Sequence, residues 1–132
     1  MPTVLRVTGP ADHLGPTVAS SPFRFVESVR SRKHRTSDGD LATYNFTVSD
    51  AGGDSVPLQI DQSTQFLTRN LAELKQLLRS SSVEHCCVDL SWDFPSSAHA
   101  QSNRFPLDFL SVCHHLGVEI ELSVYGVAPV RE

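Results

Sequence analysis

The sequence lacks most of the features that assign a chemistry. It has no apolar run of about 18 residues, which excludes a membrane-spanning helix, and its first residues lack the basic and apolar stretches of a signal peptide. No glycine-rich phosphate loop follows a strand pattern, and the cysteines number only three. Because a chain without an export signal keeps its thiols reduced, we expect a cytoplasmic protein that contacts no membrane and holds no cofactor.

The composition is that of one ordinary folded domain. With 132 residues, of which 39% are hydrophobic and 20% charged, the chain can bury one core, and residues 1–132 are expected to form a single domain. The net charge of −4 is spread unevenly. The segment from Arg24 to Arg35 has five basic residues and one acid, whereas seven acids and two arginines follow from Ser80 onward. Such an asymmetry bears on the choice of partner and not on the fold.

The last third of the chain has the clearest secondary-structure pattern. Apolar residues alternate with polar ones over two stretches, at Cys86, Val88, Leu90 and Trp92 and again at Val118, Ile120, Leu122 and Val124. A helical pattern from Leu107 to Leu116, closed by Gly117, separates the two stretches. We predict two parallel strands, each buried on one face, joined by a helix that packs on the apolar face.

The preceding part of the chain predicts four strands and one helix. The strands are expected at Leu5–Val7, Phe23–Val29, Tyr44–Val48 and Val56–Ile60, with a loop over Gly9–Pro22 and a turn over Asp50–Asp54. A helix capped by Asp61 or Ser63 should follow. Its apolar positions recur at helical spacing as Leu67, Leu71, Leu74 and Leu78.

The element order β-β-β-β-α-β-α-β predicts an α+β fold. We expect a single mixed, mainly antiparallel sheet of about five to six strands, with two helices packed on one face. The periodicities also predict a core. It consists of Leu71, Leu74, Val88, Leu90, Leu110, Leu116, Ile120 and Leu122.

The end of the chain carries a family resemblance. It reads Leu107-x-Phe109-Leu110, then Leu116-Gly117-Val118-Glu119-Ile120-Glu121-Leu122-Ser123-Val124-Tyr125. Together with the leucine helix and the aromatic-rich hairpin before it, this run resembles small bacterial proteins of a domain-of-unknown-function family, and it is closest at residues 107–126. Some proteins of that kind serve as immunity-type proteins beside toxins. The resemblance implies a protein-binding role and brings no catalytic residues with it.

The polar face of the predicted sheet is the first candidate site. Period-two alternation places His85, Cys87 and Asp89 on one strand beside the polar residues of the last strand. The candidate binding residues are Asp89, Asp93, Glu119, Glu121 and Tyr125. We therefore expect a protein-interaction or immunity-type module with a basic partner. A homodimer built on the exposed sheet is a further possibility, and the pI near 5.8 disfavours nucleic acid.

The alternative is a metal-dependent or Cys/His enzyme that uses the polar sheet face. Its residues would be His85, Cys87, Cys113 and His114, since thiolates and imidazoles are the ligands of zinc. Their spacing matches no closed zinc pattern, and buried cysteines usually act as small apolar residues. We therefore expect no metal, no disulfide and no catalytic residue. Two segments have no assigned role, namely the basic run Arg30–Arg35 and the long connection Asp93–Arg104.

Overall fold

The computed structural model describes residues 2–31, 40–95 and 102–127, which form one mixed sheet of five strands with four helices. The elements in chain order are β1 (Thr3–Pro10), α1 (Ala11–Ala19), β2 (Val26–Ser31), β3 (Asp40–Ser49), α2 (Val56–Arg69), α3 (Leu71–Leu78), β4 (His85–Pro95), α4 (Leu107–Leu116) and β5 (Glu119–Val127). The predicted α+β class is confirmed, while the predicted count and order of the elements are wrong.

The strands lie in the order β2-β3-β1-β4-β5. The central strand β1 is antiparallel to both of its neighbours, so that Leu5 lies between Phe46 and Val88. β2 is antiparallel to β3, and β5 is parallel to β4. The sheet is therefore mixed and mainly antiparallel, and β4, α4 and β5 form the predicted unit of two parallel strands and a helix.

The helices pack on one face of this sheet. Strand residues such as Leu5 and Val88 belong to the same buried cluster as Leu14, Leu67 and Phe109 from the helices. Alternation along β1 is regular, with every second residue buried. The face assignment for β4 and β5 is confirmed, because Val88 pairs with Ile120 on the helix side and Asp89 with Glu121 on the other side.

The predicted loop at residues 9–22 is wrong over most of its length, because it contains α1. The prediction followed the glycines and prolines, and Pro16 does lie inside this helix. Leu14 and Val18, four residues apart, are fully buried. Burial of this one-turn apolar pair against the sheet outweighs the unfavourable proline in a helix of only nine residues.

The predicted strand at residues 56–60 is also wrong, because α2 begins there. Val56 and Ile60 are buried whereas Leu58 is exposed, so the apolar repeat has a period of four and not two. Ser55 caps the helix, its hydroxyl accepting from the amide of Leu58 at 3.4 Å. The caps predicted at Asp61 and Ser63 lie inside α2.

Smaller corrections concern the ends and the core. The leucine stripe is divided at Asn70 between α2 and α3, and β2 begins at Val26 instead of Phe23. Leu110 of the predicted core is exposed, because it lies beside the buried arc of α4. Residues 32–35 of the basic run and residues 96–101 of the long connection lie outside the described residues. No helix in the described ranges is long and apolar enough to cross a membrane.

A buried amide fastens α2 to the sheet. The side chain of Gln59 is fully buried, and its Nε2 donates to the carbonyl oxygens of Gly52 and Ser91, each at 2.7 Å. Its Oε1 accepts from the Thr3 hydroxyl at 2.7 Å and from the Ser91 amide at 3.0 Å. β1 pairs with β4 only as far as Val4. Beyond that point the side-chain amide of Gln59 replaces the strand partner, because it bonds both the amide and the carbonyl oxygen of Ser91. All four hydrogen-bonding positions of this amide are thereby filled.

Candidate functional site

The side of the sheet that faces away from the helices forms a polar surface, here called the open face. Neighbouring strands contribute to it in register, since Arg6 lies between Asn45 and Cys87, and Cys87 lies beside Glu119. Its polar and ionisable residues include Arg6, Thr8, Thr43, Asn45, His85, Cys87, Asp89, Asp93, Glu119, Glu121, Ser123 and Tyr125. The predicted binding residues therefore lie on one surface.

Arg6 organises the centre of the open face. Its Nη2 contacts Asp89 Oδ2 at 3.0 Å, its Nε donates to Asn45 Oδ1 at 3.3 Å, and its Nη1 lies 3.7 Å from Glu121 Oε2. The Ser123 hydroxyl donates to Asp89 Oδ1 at 2.7 Å. Both oxygens of Asp89 are thus occupied, and its side chain is 14% exposed. Asp89 is consequently a structural group that orients Arg6, and it offers little to a partner.

The accessible carboxylates of the open face lie on β5. Glu119 and Glu121 are exposed, and so is Tyr125. Asp93 pairs with Tyr125 in register, but its amide donates to the Gly53 carbonyl oxygen at 2.9 Å. Its carboxylate packs so closely on Gly53 that a Cβ there would lie 2.6 Å from it. Of the five predicted residues, Glu119, Glu121 and Tyr125 are therefore the freest to contact another molecule.

The thiol on the open face is poorly suited to nucleophilic chemistry. Cys87 is buried, and its Sγ donates to Glu121 Oε2 at 3.6 Å. Burial raises the pKa of Cys87 to about 11, and the neighbouring Glu121 and Asp89 add to the rise while Arg6 opposes it. Burial likewise raises the pKa of Cys113 to about 11. Both side chains are therefore neutral thiols at neutral pH.

The four residues of the metal or Cys/His alternative do not come together. His85 and Cys87 lie on the open face, whereas Cys113 belongs to the core beneath α4 on the other side of the sheet. His114 is exposed on α4. In the described part of the chain no three His, Cys, Asp or Glu side chains are placed to hold a metal ion. All three cysteines are free.

A cleft beside α2 was not predicted from the sequence. It has a volume of about 580 Å³ and lies between α2 and the residues that lead into α4. Its polar lining includes Asp61, Asn103, Arg104 and Asp108. The length of the connection from Asp93 to Arg104 was the only signal for it. The charged groups of the cleft are exposed, so it does not exclude water as a catalytic pocket does.

Comparison with known proteins adds nothing to these residues: no family model, no curated protein and no solved structure matches the chain.

The thiols provide a direct test of this geometry. We expect Cys87 and Cys113 to react slowly with iodoacetamide near neutral pH, because a pKa raised from 9.0 to about 11 lowers the thiolate fraction by about a hundredfold. Site-resolved mass spectrometry would measure the rates, with the urea-unfolded chain as the control. Rapid alkylation of Cys87 in the folded chain would contradict its burial beneath the open face.

The same shifts set the sign of a pH dependence. The pKa values of Cys87 and Cys113 in the folded chain lie above the ordinary value of 9.0. The stability that these neutral thiols contribute is thus fully present below pH 9 and is lost as the pH rises from 9 toward 11.

Proposed function

We propose that the chain is a protein-binding module that engages a basic partner through the open face of its sheet. One observation carries the proposal: the exposed carboxylates Glu119 and Glu121 lie in a strip with Tyr125, while the neighbouring cation Arg6 is already engaged by Asp89. The surface is thus net acidic where it is accessible. A surface of this kind attracts a basic protein and raises the rate of association.

The geometry favours binding over catalysis. An enzyme needs a concave site that removes water from the reacting groups, whereas the open face is one side of a sheet with exposed carboxylates. Its thiol, Cys87, stays protonated at neutral pH because its pKa is raised to about 11. Tyr125 adds an aromatic ring, 42% exposed, and tyrosine is a residue type enriched at protein interfaces.

The contacts of Arg6 also prepare the surface for a partner. Arg6 is fixed by Asp89 at 3.0 Å and by Asn45 at 3.3 Å, and it lies 3.7 Å from Glu121. The Glu121 carboxylate, although 54% exposed, is therefore held near one position before a partner arrives. Such preorganisation reduces the side-chain entropy that is lost on binding.

The narrower form of the proposal is a bacterial immunity-type inhibitor, whose acidic face would cover a basic site on a toxin. It is supported by the sequence resemblance over residues 107–126, a range that includes the glutamates of β5. We further propose that the protein acts in the cytoplasm. The support for this location is that all three cysteines are free thiols.

The test neutralises the accessible carboxylates without altering the core. We expect the double variant Glu119→Gln, Glu121→Gln to associate with its partner about three- to tenfold more slowly, while the dissociation rate changes little. The partner would first be recovered by affinity purification with the intact chain, and the rates then measured with both purified proteins by stopped-flow. The difference should shrink as salt rises, since the Debye length falls from about 10 Å at low salt to about 3 Å at high salt.

A matched control carries the same charge change on the helix side. Asp12→Asn with Glu73→Gln removes two exposed carboxylates from α1 and α3 and should leave the association rate unchanged. Neutralising the basic run Arg30–Arg35, most of which lies outside the described residues, tests the reverse arrangement with an acidic partner. Loss of binding in that variant alone would contradict the proposed surface, as would equal rates for the two carboxylate variants.

A further inference from the structure

The last strand of the sheet presents an open edge. β5 is nine residues long and pairs with β4 on one side, while on its other side no strand of the described ranges pairs with it. An edge of this length offers a row of backbone donors and acceptors to another chain. Proteins usually protect such edges with charge, proline or a bulge, or they use them for association.

Exposed apolar side chains occur on α4 and on the helix side of β5. Leu107 and Leu110 of α4 are 83% and 39% exposed, and Val124 of β5 is 54% exposed. Asp108, on the opposite flank of α4, lines the cleft shared with α2. Leu110 lies on the flank of α4 away from Asp108, whereas Leu107 lies opposite the buried residues of this helix and points away from the sheet. Val124 is therefore the exposed apolar side chain that lies on the edge strand itself.

From this arrangement we infer that the β5 edge pairs with the β5 edge of a second copy of the chain. The two strands run antiparallel about a two-fold axis normal to the sheet, and the two sheets join into one. The inference concerns the edge of β5 and does not depend on the proposed function of the open face.

The sequence of β5 selects the register of this pairing. In an antiparallel pair, directly opposed side chains lie on the same face of the sheet. The two-fold axis therefore passes between one residue and the same residue of the other copy. An axis at Ile120 sets Glu119 opposite Glu121, and an axis at Glu121 sets that carboxylate opposite itself. An axis at Ser123 avoids both repulsions, but it sets Ile120 opposite Gly126, which has no side chain to pack. An axis at Leu122 also avoids them, and it pairs Ile120 with Val124, Glu121 with Ser123 and Glu119 with Tyr125 across the junction.

The register at Leu122 also accounts for the chemistry of each pair. On the helix side Ile120 of one copy meets Val124 of the other, so that apolar side chains are paired across the junction. On the open face the carboxylate of Glu119 lies opposite Tyr125, whose hydroxyl can donate a hydrogen bond to it. A second copy therefore buries Val124 and leaves no two carboxylates directly opposed.

The mass of the full chain in solution tests the pairing. Sedimentation equilibrium from micromolar to hundreds of micromolar concentration should give a monomer–dimer equilibrium. Val124→Arg should abolish the dimer, because it places two guanidinium groups at the apolar junction. Val26→Arg is the matched control: Val26 is 70% exposed, lies on the opposite edge strand, and should leave the equilibrium unchanged.

A pair of charge variants tests the register. Tyr125→Glu sets a carboxylate opposite Glu119 twice in each dimer and should raise the dissociation constant by about tenfold. Tyr125→Lys places an ammonium group there and should leave the dimer as tight or tighter. Thermal unfolding of each variant verifies that the fold is kept, which is expected at an exposed position.

The opposing outcomes are distinct. A chain that stays monomeric at every concentration overturns the inference, even if an extended peptide binds to the same edge. A dimer that Val26→Arg disrupts and Val124→Arg does not overturns it as well, because the other edge would then be the interface. Equal dissociation constants for Tyr125→Glu and Tyr125→Lys would exclude the pairing of Glu119 with Tyr125.

Discussion

A chain in which glutamate replaces Gln59 is expected to lose about 3–5 kcal/mol of its free energy of unfolding near neutral pH. The Nε2 group of Gln59 donates to the carbonyl oxygens of Gly52 and Ser91, both at 2.7 Å. A carboxylate at this position has no hydrogen to give. It would place a buried charge against two carbonyl oxygens, which is costly.

The loss should depend on pH in a direction that identifies its cause. Two facing carbonyl oxygens and complete burial favour the protonated form, so the pKa of the introduced carboxyl group rises in the folded chain. An acid whose pKa is raised by folding contributes its stability below the pKa of the unfolded chain, and that stability is lost as the pH rises. The variant should thus approach the wild type near pH 4 and fall furthest below it near pH 8, with a slope of at most about 1.4 kcal/mol for each pH unit.

The matched control is Gln62→Glu, three residues along the same helix. Gln62 uses its oxygen and not its nitrogen, accepting from the Ser49 hydroxyl at 2.7 Å, and a carboxylate can accept the same hydrogen bond. This variant should stay within about 0.5 kcal/mol of the wild type. Urea unfolding at several pH values measures both variants. If the Gln59→Glu variant were as stable as Gln62→Glu near neutral pH, the four hydrogen bonds of the Gln59 side chain would not contribute to stability as proposed.

The sequence predicted the last third of the fold well, and physical reasons explain why. In β4 and β5 apolar and polar residues alternate. Because successive side chains of a strand point to opposite faces, this pattern determines which residues lie on the buried face of the sheet. The helix between them has no competing pattern. The open face could therefore be predicted, with Glu119 and Glu121 upon it, although the pairing of β4 with β1 was not predicted.

The secondary structure of the first half was harder to predict, because its short patterns are compatible with two kinds of element. Val56, Leu58 and Ile60 fit a strand, while Val56 and Ile60 alone fit a helix, and only the Ser55 cap and Pro57 in the first turn decide between them. In α1 the glycine and proline residues indicated a loop, but burial of Leu14 and Val18 against the sheet determined the outcome. Tertiary packing therefore overrode the local signal in α1, whereas in α2 the local signals at Ser55 and Pro57 agree with the helix.

The contacts that define the site were beyond the reach of sequence patterns. Arg6 and Asp89 lie 83 positions apart, and Gln59 lies 56 positions from Thr3 and 32 from Ser91. No local periodicity connects such residues. The sequence could place Asp89 on the open face, but its pairing with Arg6, which removes it from the accessible carboxylates, follows only from the strand order.

The second large effect is expected from Gly9→Ala in β1. A Cβ at Gly9 would lie 2.0 Å from the carbonyl oxygen of Ser82 and 3.1 Å from Cδ2 of Leu14. The first clash involves backbone, which cannot move aside as a side chain can. The turn that carries Ser82 leads directly into β4 and is held to β1 by the Glu84 amide, which donates to the Thr8 carbonyl oxygen at 2.8 Å. We expect a loss of about 2–4 kcal/mol in the free energy of unfolding.

Gly126→Ala is the control for this substitution, because it makes the same change in another strand of the same sheet. No atom lies within 4 Å of a Cβ at Gly126, and its backbone needs no left-handed conformation. Alanine there should be neutral or should add up to about 1 kcal/mol by restricting the unfolded chain. Urea unfolding of the two variants gives the comparison. Equal stabilities would mean that the turn at Ser82 is not packed tightly against β1. The start of β4, which carries part of the open face, would then be held less firmly than the hydrogen bond of Glu84 indicates.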